Sequence, residues 1–387
     1  MTNRPRIQIP FGRPTIVGRE LEYISEAIDN GTIAGGGPFM KRCETWLEAT
    51  LGAGRVLLTH SCTAALEMAA ILSEIGPDDE VIMPSFTFSA TATAFVLRGA
   101  VPVFIDIRPD TLNIDERLIE PAITPRTKAI VAVHYAGLAC DMDPIMSIAA
   151  KHGLLVVEDA AQAHLSHYKG RPLGTIGHLG CLSFHETKNI ISGEGGALIV
   201  NDPRYVARAE IIREKGTDRS RFFRGQVDKY TWQDIGSSYS PGEIVSAFLY
   251  AQLEHAEAIC DKRRAIYDAY RNGLSSLATQ NVLKLPAASG RDTNGHIFWL
   301  LVEDEHARSQ LLAHLGDHGI LAVFHYVPLH SAPAGRRFGR TGSDLTVTDD
   351  ISVRLVRLPL YLNITPAEIE RVISSTEEFF HQRNLSQ

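Results

Sequence analysis

The sequence predicts an α/β fold: a large, mostly parallel sheet buried between helices, followed by a smaller C-terminal α+β layer. Three observations carry this. Short apolar runs alternate with helical segments from residue 55 to about residue 200, the pattern of a parallel sheet covered on both faces. A long helical stretch from Glu243 to about Leu274 then leads into a region of different pattern. At 387 residues the chain exceeds the size at which one core stops growing, so two domains are expected, a large one over 1–250 and a small one over 251–387.

In chain order, a first helix is expected from Thr15 to Asn30, because Val17, Leu21, Ile24 and Ile28 recur at helical steps before Gly31 supplies a stop. The strand candidates of the large sheet are Arg55 to Leu58, Glu80 to Met83, Val101 to Ile107, Ala129 to His134, Leu154 to Val157, Cys181 to Phe184 and Ala197 to Val200. Between Lys215 and Ser240 the chain turns polar, aromatic and basic over a length too great for a plain connector, and reads as a functional excursion. The helix from Glu243 to about Leu274 places Val245, Phe248, Leu249, Leu253 and Ala256 on one side. Beyond it come two strand candidates, Ile297 to Val302 and Leu321 to His325, and helices near Arg308 to Gly319 and Pro366 to Gln382. The last helix is well marked: Thr365 and Glu368 form a capping box, Pro366 takes the first helical position, and Ile369, Val372, Ile373, Thr376 and Phe380 share a face.

Composition narrows the function. Hydrophobic residues at 44% and charged residues at 21% are average for globular enzymes, and no run approaches the roughly 20 apolar residues of a membrane span. The stretch Met1 to Arg6 is basic but lacks the apolar core of an export signal, so a cytoplasmic protein is expected. Five cysteines, widely spaced and without a CxxC pair, argue against a disulfide framework or a zinc site, and no metal is expected. A net charge of −7 offers no basic face to nucleic acid.

The chemistry concentrates at strand ends. Leu154 to Val157 delivers Glu158-Asp159-Ala160-Ala161-Gln162 at a carboxyl end, where open α/β sheets bind ligands. An acid there serves equally well as a helix cap when it stands alone. After Leu182-Ser183-Phe184, Lys188 is bracketed before the next strand by Ser192-Gly193-Glu194-Gly195-Gly196. A partly dry position at the sheet edge lowers a lysine's pKa and frees its amine for a carbonyl. The strand from Arg55 runs into Thr59-His60-Ser61-Cys62-Thr63-Ala64, whose small residues and hydroxyls open a helix with free backbone N–H groups, an anion site. A lysine for an aldehyde, an acid for a pyridine nitrogen and a phosphate site are the three fixtures of pyridoxal 5'-phosphate (PLP). Phe88, in Pro84-Ser85-Phe86-Thr87-Phe88, is the aromatic chosen to lie over the ring, and Ser183 a further phosphate donor.

The segments VVEDAAQ, SFHETKN and GEGGALIV, with THSCTAALE and MPSFTF upstream, resemble the DegT/DnrJ/EryC1/StrS family of sugar aminotransferases over nearly the whole chain. The resemblance implies a fold-type I PLP-dependent transferase of the aspartate-aminotransferase kind, working as a homodimer with its active site at the subunit interface. It implies that Lys188 is the Schiff-base lysine, Asp159 meets the pyridine nitrogen and Gln162 lies near the ring face and hydroxyl. Ser61, Thr63, Ala64 and Ser183 are then placed at the phosphate, with Phe88 on the ring. Many family members donate an Asn and an Arg across the dimer from a GYNYRM-like segment; this chain reads Gly236-Ser237-Ser238-Tyr239-Ser240-Pro241-Gly242, with Ser238 at the Asn position.

Further segments, REKGTDRSRFFRGQVDKYTWQDIGSSY, AVFHYVPLH and RLPLY, resemble members that aminate a 4-keto-6-deoxy sugar nucleotide for polysaccharide biosynthesis. The expected reaction moves the amino group of L-glutamate to the C4 ketone of dTDP-4-dehydro-6-deoxy-D-glucose, with ping-pong kinetics. Arg219, Arg221 and Arg224 are candidates for the diphosphate, and His325 and Tyr326 for the sugar nucleotide. The alternatives are amination at C3 or of a different nucleotide sugar, and a non-aminating protein of the same fold. Lys188 argues against the family's dehydratases, in which histidine replaces the lysine. A NAD-dependent oxidoreductase lacks its GxGxxG here, and a DNA-binding regulator lacks room before Thr15 for a helix-turn-helix.

Overall fold

The computed structural model describes residues 7–287 and 292–385; the basic stretch Met1 to Arg6 lies outside the described residues. Among the described residues twelve strands occur in the order β1 (Arg55–Thr59), β2 (Glu80–Pro84), β3 (Val101–Ile105), β4 (Thr127–Val133), β5 (Leu155–Asp159), β6 (His167–Tyr168), β7 (Arg171–Pro172), β8 (Leu179–Ser183), β9 (Gly196–Val200), β10 (Trp299–Leu301), β11 (Arg340–Thr341) and β12 (Leu355–Arg357). Eight of them form one sheet in the order β1-β9-β8-β5-β4-β2-β3-β11. Its pairs are parallel except at β9, which runs antiparallel to both β1 and β8.

Strand alternation divides the sheet's apolar side chains between two cores. Val56, Leu58, Ile82, Ile130 and Val156 enter one, and Leu57, Val81, Met83, Val131 and Val157 the other. Burial on both faces is what the continuous apolar runs require, and all seven expected strands of the large sheet are present within about two residues of their expected ends. A third core gathers Tyr267, Tyr270, Phe298, Leu311, Val356, Val372 and Phe380, together with Ile9 from the N-terminal side. The last helix, Pro366–Leu385, is capped as expected: Glu368 accepts from the Thr365 N–H (2.8 Å), and Thr365 Oγ1 from the Glu368 N–H (3.2 Å).

Three expectations are corrected. The first helix spans Glu20–Asp29, not Thr15 to Asn30, and buries Tyr23 and Ala27 while Leu21 and Ile28 stay exposed. Glu20 sets both the start and the rotation, because its buried carboxylate accepts the N–H groups of Val17 (2.8 Å) and Gly18 (2.9 Å) and the amide of Gln252 (2.7 Å). The stretch from Glu243 is two helices, Glu243–Glu254 and Ala256–Gly273, broken where His255 leaves helical geometry and bonds Gln252 O instead. Leu321 to His325 is not a strand; β12 is three residues long and offers that segment only the Val323–Arg357 bridge.

A buried carboxylate ties the C-terminal β11 to the sheet. Glu80 accepts two bonds from Arg340 (2.9 and 2.7 Å), one from Arg126 (2.8 Å) and one from the Thr124 hydroxyl (2.7 Å). Glu243 acts similarly at the helix Pro38–Leu51, accepting the N–H groups of Phe39 (2.8 Å) and Met40 (3.0 Å).

Candidate active site

Asp159 is the last residue of β5 and 5% exposed. Its Oδ2 accepts the Thr91 hydroxyl (2.7 Å) and its Oδ1 the Ala161 N–H (3.2 Å); Thr91 in turn lies 2.9 Å from the Thr87 hydroxyl. These bonds fix the orientation of the buried carboxylate. The preceding Glu158 points away, where His134 Nε2 (2.9 Å) and the N–H groups of Gly174 (2.8 Å), Ile176 (2.6 Å) and Gly177 (2.6 Å) satisfy it, so the two neighbouring acids have different work.

Lys188 sits on the loop between β8 and β9, whose register sets Ser183 opposite Gly196. Backbone bonds fold that loop on itself: Phe184 N to Gly195 O (2.8 Å), Ser192 N to Phe184 O (2.7 Å), Glu186 N to Gly193 O (2.8 Å) and Lys188 N to His185 O (2.9 Å). The next residue anchors it from behind. Asn189 Nδ2 donates to Asn294 O (2.9 Å) and Asn189 Oδ1 pairs with His296 Nδ1 (2.8 Å), while Asn294 Nδ2 donates to the carbonyls of Gln162 and His164 (both 2.9 Å). Burial lowers the pKa of the half-buried Lys188 amine and Arg357 adds to that, while Cys62 and Asp159 oppose it; the net is downward. Lys188, Ser183, Ala161, Gln162, Asn189 and His296 line one small cavity.

The anion site is the start of the helix Cys62–Leu72. Ser61 caps it, its hydroxyl accepting the Ala64 N–H (3.1 Å), and Ser61 O accepts from Ala65 N (3.3 Å). The Ala64 N–H is therefore taken, and the Cys62 and Thr63 N–H groups are the two without an intrahelical partner. The strand β9 starts directly against this turn: a Cβ on Gly196 would lie 2.4 Å from Cys62 N, so glycine is needed for Ser183 and the helix start to face one space. Phe88, 61% exposed, stands at the rim with its ring centroid 6.4 Å from that of Tyr326.

Gln162 is fixed from both sides. Its Oε1 accepts the Ala136 N–H (2.7 Å) and its Nε2 donates to the Tyr326 hydroxyl (3.0 Å), which leaves one amide hydrogen. His325 Nδ1 lies 3.0 Å from the Tyr135 hydroxyl, so His325 and Tyr326 do join the Lys188 surroundings. Burial keeps the His325 imidazole neutral and both phenols protonated. The segment is docked at the end of β2, where Ser85 Oγ accepts the His330 N–H (3.0 Å). Thr87, Thr91, Tyr135, Asn189, Asn294 and His296 escaped the sequence reading. Tyr135 had a findable signal, since it follows directly on the carboxyl end of an expected strand.

The arginines of the excursion stand elsewhere. Arg224 makes a two-pronged pair with Glu210 (3.1 and 2.8 Å), and Arg219 lies 3.7 Å from Glu214 and over the Phe223 ring. Arg221 is exposed. Ser238 bridges to Glu214, and its neighbour Tyr239 accepts from His60 N (2.8 Å), which brings this segment beside the turn before Ser61.

The model of the DegT/DnrJ/EryC1/StrS aminotransferase family matches residues 14–377. The chain belongs to that family. It is 33% identical over 385 residues to GDP-perosamine synthase of Caulobacter vibrioides, covering 98% of this chain and 99% of that one. It is 32% identical over 378 residues to the spore coat polysaccharide biosynthesis protein SpsC of Bacillus subtilis, covering 96% of each. Among solved structures, DesV of S. venezuelae in complex with a ketimine intermediate superposes with a TM-score of 0.84 at 31% identity over 94% of each chain. The PLP form of Spr1654 from Streptococcus pneumoniae gives 0.88 at 26% identity over 97% of this chain and 99% of that one. As a member of this family the protein is a PLP-dependent sugar aminotransferase of fold type I, acting on a nucleotide sugar and an amino donor. The site fits PLP: a lysine with a lowered pKa, a buried carboxylate at a strand end and a helix start with two free N–H groups converge on it.

Proposed function

We propose that this enzyme transfers the amino group of L-glutamate to the C4 ketone of dTDP-4-dehydro-6-deoxy-D-glucose, giving dTDP-4-amino-4,6-dideoxygalactose and 2-oxoglutarate. The observation that carries the aminating chemistry is Lys188, a half-buried amine of lowered pKa in the charge field of Asp159. PLP bound here supplies the electron sink that makes the donor's Cα–H acidic. Lys188 holds the aldehyde at rest and, once displaced, moves the proton from the donor's Cα as a general base and later returns it on the sugar side. Asp159, oriented by Thr91 and the Ala161 N–H, supplies the carboxylate that pairs with the pyridine nitrogen. Cys62 and Thr63 N–H with the Ser61, Thr63 and Ser183 hydroxyls take the phosphate, the remaining amide hydrogen of Gln162 reaches the ring hydroxyl, and Phe88 covers the ring.

The choice of sugar rests on the likeness of the excursion, of AVFHYVPLH and of RLPLY to C4-aminating members. His325 and Tyr326 are the proposed sugar contacts, and Arg219 and Arg224 serve the diphosphate only by leaving Glu214 and Glu210. One observation favours a different base: the GDP-linked product in the name of the Caulobacter relative. We propose a cytoplasmic homodimer, in which Ser238 acts across the interface. Ile16, Leu21, Ile28 and Ile33 are each more than half exposed, apolar surface of the kind a partner subunit covers. Among the described residues no helix is long and apolar enough to cross a membrane.

The test is an absorbance spectrum of wild type and Lys188→Ala before and after L-glutamate, followed by product assays with dTDP- and GDP-linked 4-keto-6-deoxy sugars. Wild type is expected to show a cofactor band that glutamate bleaches, and to aminate the dTDP sugar. Amination of the GDP sugar alone overturns the choice of base, and an unbleached band overturns glutamate as donor.

A further inference from the structure

We propose that His314, His318 and Glu378 form a zinc site in the C-terminal part of the chain, where the metal ties the end of the helix Glu305–Asp317 to the last helix. None of the three lines the cavity at Lys188, and the site stands apart from the choice of donor and sugar. The cysteine pattern that argued against zinc does not bear on it, since no ligand is a cysteine.

The ligands come from two elements held in a fixed relation. Leu311 and Leu315 of the helix Glu305–Asp317 pack in one core with Val372, Ile373 and Phe379 of the last helix. His314 and His318 are four residues apart and so share a face, with ring centroids 4.3 Å apart. The Phe379 ring, 5.6 Å from that of His314, backs the pair with apolar surface. Glu378 stands on the last helix, and one ligand atom from each of the three residues lies within 4.8 Å of the others. Among the described residues this is the only such group of histidine, cysteine and acidic side chains.

The protonation pattern suits a cation. A coordinating imidazole presents a lone pair, so its N–H has to be placed elsewhere. Both rings place it on backbone carbonyls, which can only accept. His318 Nδ1 donates to His314 O (2.8 Å), which leaves the lone pair on Nε2, and Nε2 is the atom 3.7 Å from Glu378 Oε2. His314 Nε2 donates to Ser375 O (3.0 Å), three residues before Glu378, which leaves the lone pair on Nδ1. Carbonyl partners of this kind are the support that metal-binding histidines ordinarily have. Glu378 Oε1 accepts the Gln382 amide (2.8 Å) and leaves Oε2 to His318. A nitrogen lone pair thus faces a carboxylate oxygen across a gap too long for a hydrogen bond, and a cation between them satisfies both.

The donor set selects the cation. Two imidazoles and one carboxylate suit zinc, with water in the fourth position, whereas magnesium and calcium take oxygen ligands. Ligands roughly 2.0–2.2 Å from a tetrahedral zinc stand roughly 3.4 Å from one another, so the side chains close by about 1 Å at most. His318 and Glu378 have the freedom to do so, their side chains being 38% and 49% exposed.

The test uses the holoenzyme freed of metals by dialysis against a chelator, with zinc chloride and magnesium chloride as calorimetric titrants. Wild type is expected to bind one zinc per chain at this site and no magnesium. His314→Gln, His318→Gln and Glu378→Gln are each expected to weaken that zinc at least about tenfold, and His306→Gln, an exposed histidine on the same helix, to leave it unchanged. Zinc is expected to raise the melting temperature of wild type and of His306→Gln but not of His318→Gln. Zinc taken up by the cofactor or by other histidines is common to all these proteins and drops out of the comparison. Equal zinc affinity in wild type and the three ligand variants, or no zinc bound by wild type, overturns the proposal; the second outcome leaves His318 and Glu378 as an ion pair formed only when the imidazole is protonated. Should His314→Gln not fold, the exposed His318→Gln and Glu378→Gln decide.

Discussion

Thr91 donates its hydroxyl hydrogen to Asp159 Oδ2 at 2.7 Å, joining the helix Ser89–Val96 to the end of β5 across 68 residues of sequence. Asp159 is thereby held in one orientation. Removing an opposite charge from beside a titrating nitrogen shifts its pKa by about 1–3 units. Asp159→Asn is therefore expected to lower the rate of glutamate bleaching about 10- to 1000-fold with the fold intact, and Thr91→Val less, about tenfold. Stopped-flow traces of both variants check the order; a Thr91→Val loss equal to that of Asp159→Asn contradicts it.

The lowered pKa of Lys188 sets a pH dependence. Only the neutral amine attacks an aldehyde, and a pKa depressed by burial makes that form available at lower pH. Cofactor capture by the apoenzyme is expected to rise with pH through a midpoint below the ordinary lysine value of 10.5. Arg357→Gln, which removes a contributor to the lowering, moves that midpoint up. Capture rates across pH measure both.

Gly196 has no room for a side chain. A methyl there meets Cys62 N and the Ser61 carbonyl at about 2.4 Å, so Gly196→Ala pushes the helix start away from β9. Overpacking costs about 1–3 kcal/mol. Cofactor affinity is expected to fall about 5- to 150-fold, read as the concentration of PLP needed to restore the absorbance band.

Glu80 predicts acid behaviour. The Arg340 guanidinium, with the Thr124 and Arg126 bonds, outweighs burial and draws its pKa from 4.5 down to about 2. A carboxylate depressed in the folded state stabilises it above pH 4.5, and that contribution is lost as pH falls from 4.5 toward 2. Glu80→Gln is expected to unfold at lower temperature at pH 7, and to lose less further stability than wild type between pH 4.5 and 2. Melting curves at pH 7, 4 and 3 show whether the two proteins converge.

The large sheet was legible because its strands are buried on both faces and so read as continuous apolar runs; the capping box at Thr365 was legible because its two residues are three apart. Lys188 and Asp159 stood out because each follows a strand of that kind. Rotation of the first helix was not legible, since Glu20, an acid, is the residue that is buried there, through partners at Gln252 and in the preceding turn. Nor was Thr91, whose relation to the site is a long-range pairing with no local pattern. At Ala64 the Ser61 hydroxyl takes the backbone hydrogen, a local pairing that the small residues of this turn do not by themselves announce.

The hairpin from β8 to β9 also bears on the order in which the site is assembled. Every bond that shapes the Lys188 loop itself spans about a dozen residues or fewer, whereas the partners behind it, Asn294 and His296, lie 105 and 107 residues further on. Local contacts close quickly and distant ones wait for the intervening chain. During synthesis the reactive lysine's loop can thus be shaped before the Asn294 and His296 side of its cavity has been made, and that side closes only when the C-terminal third docks.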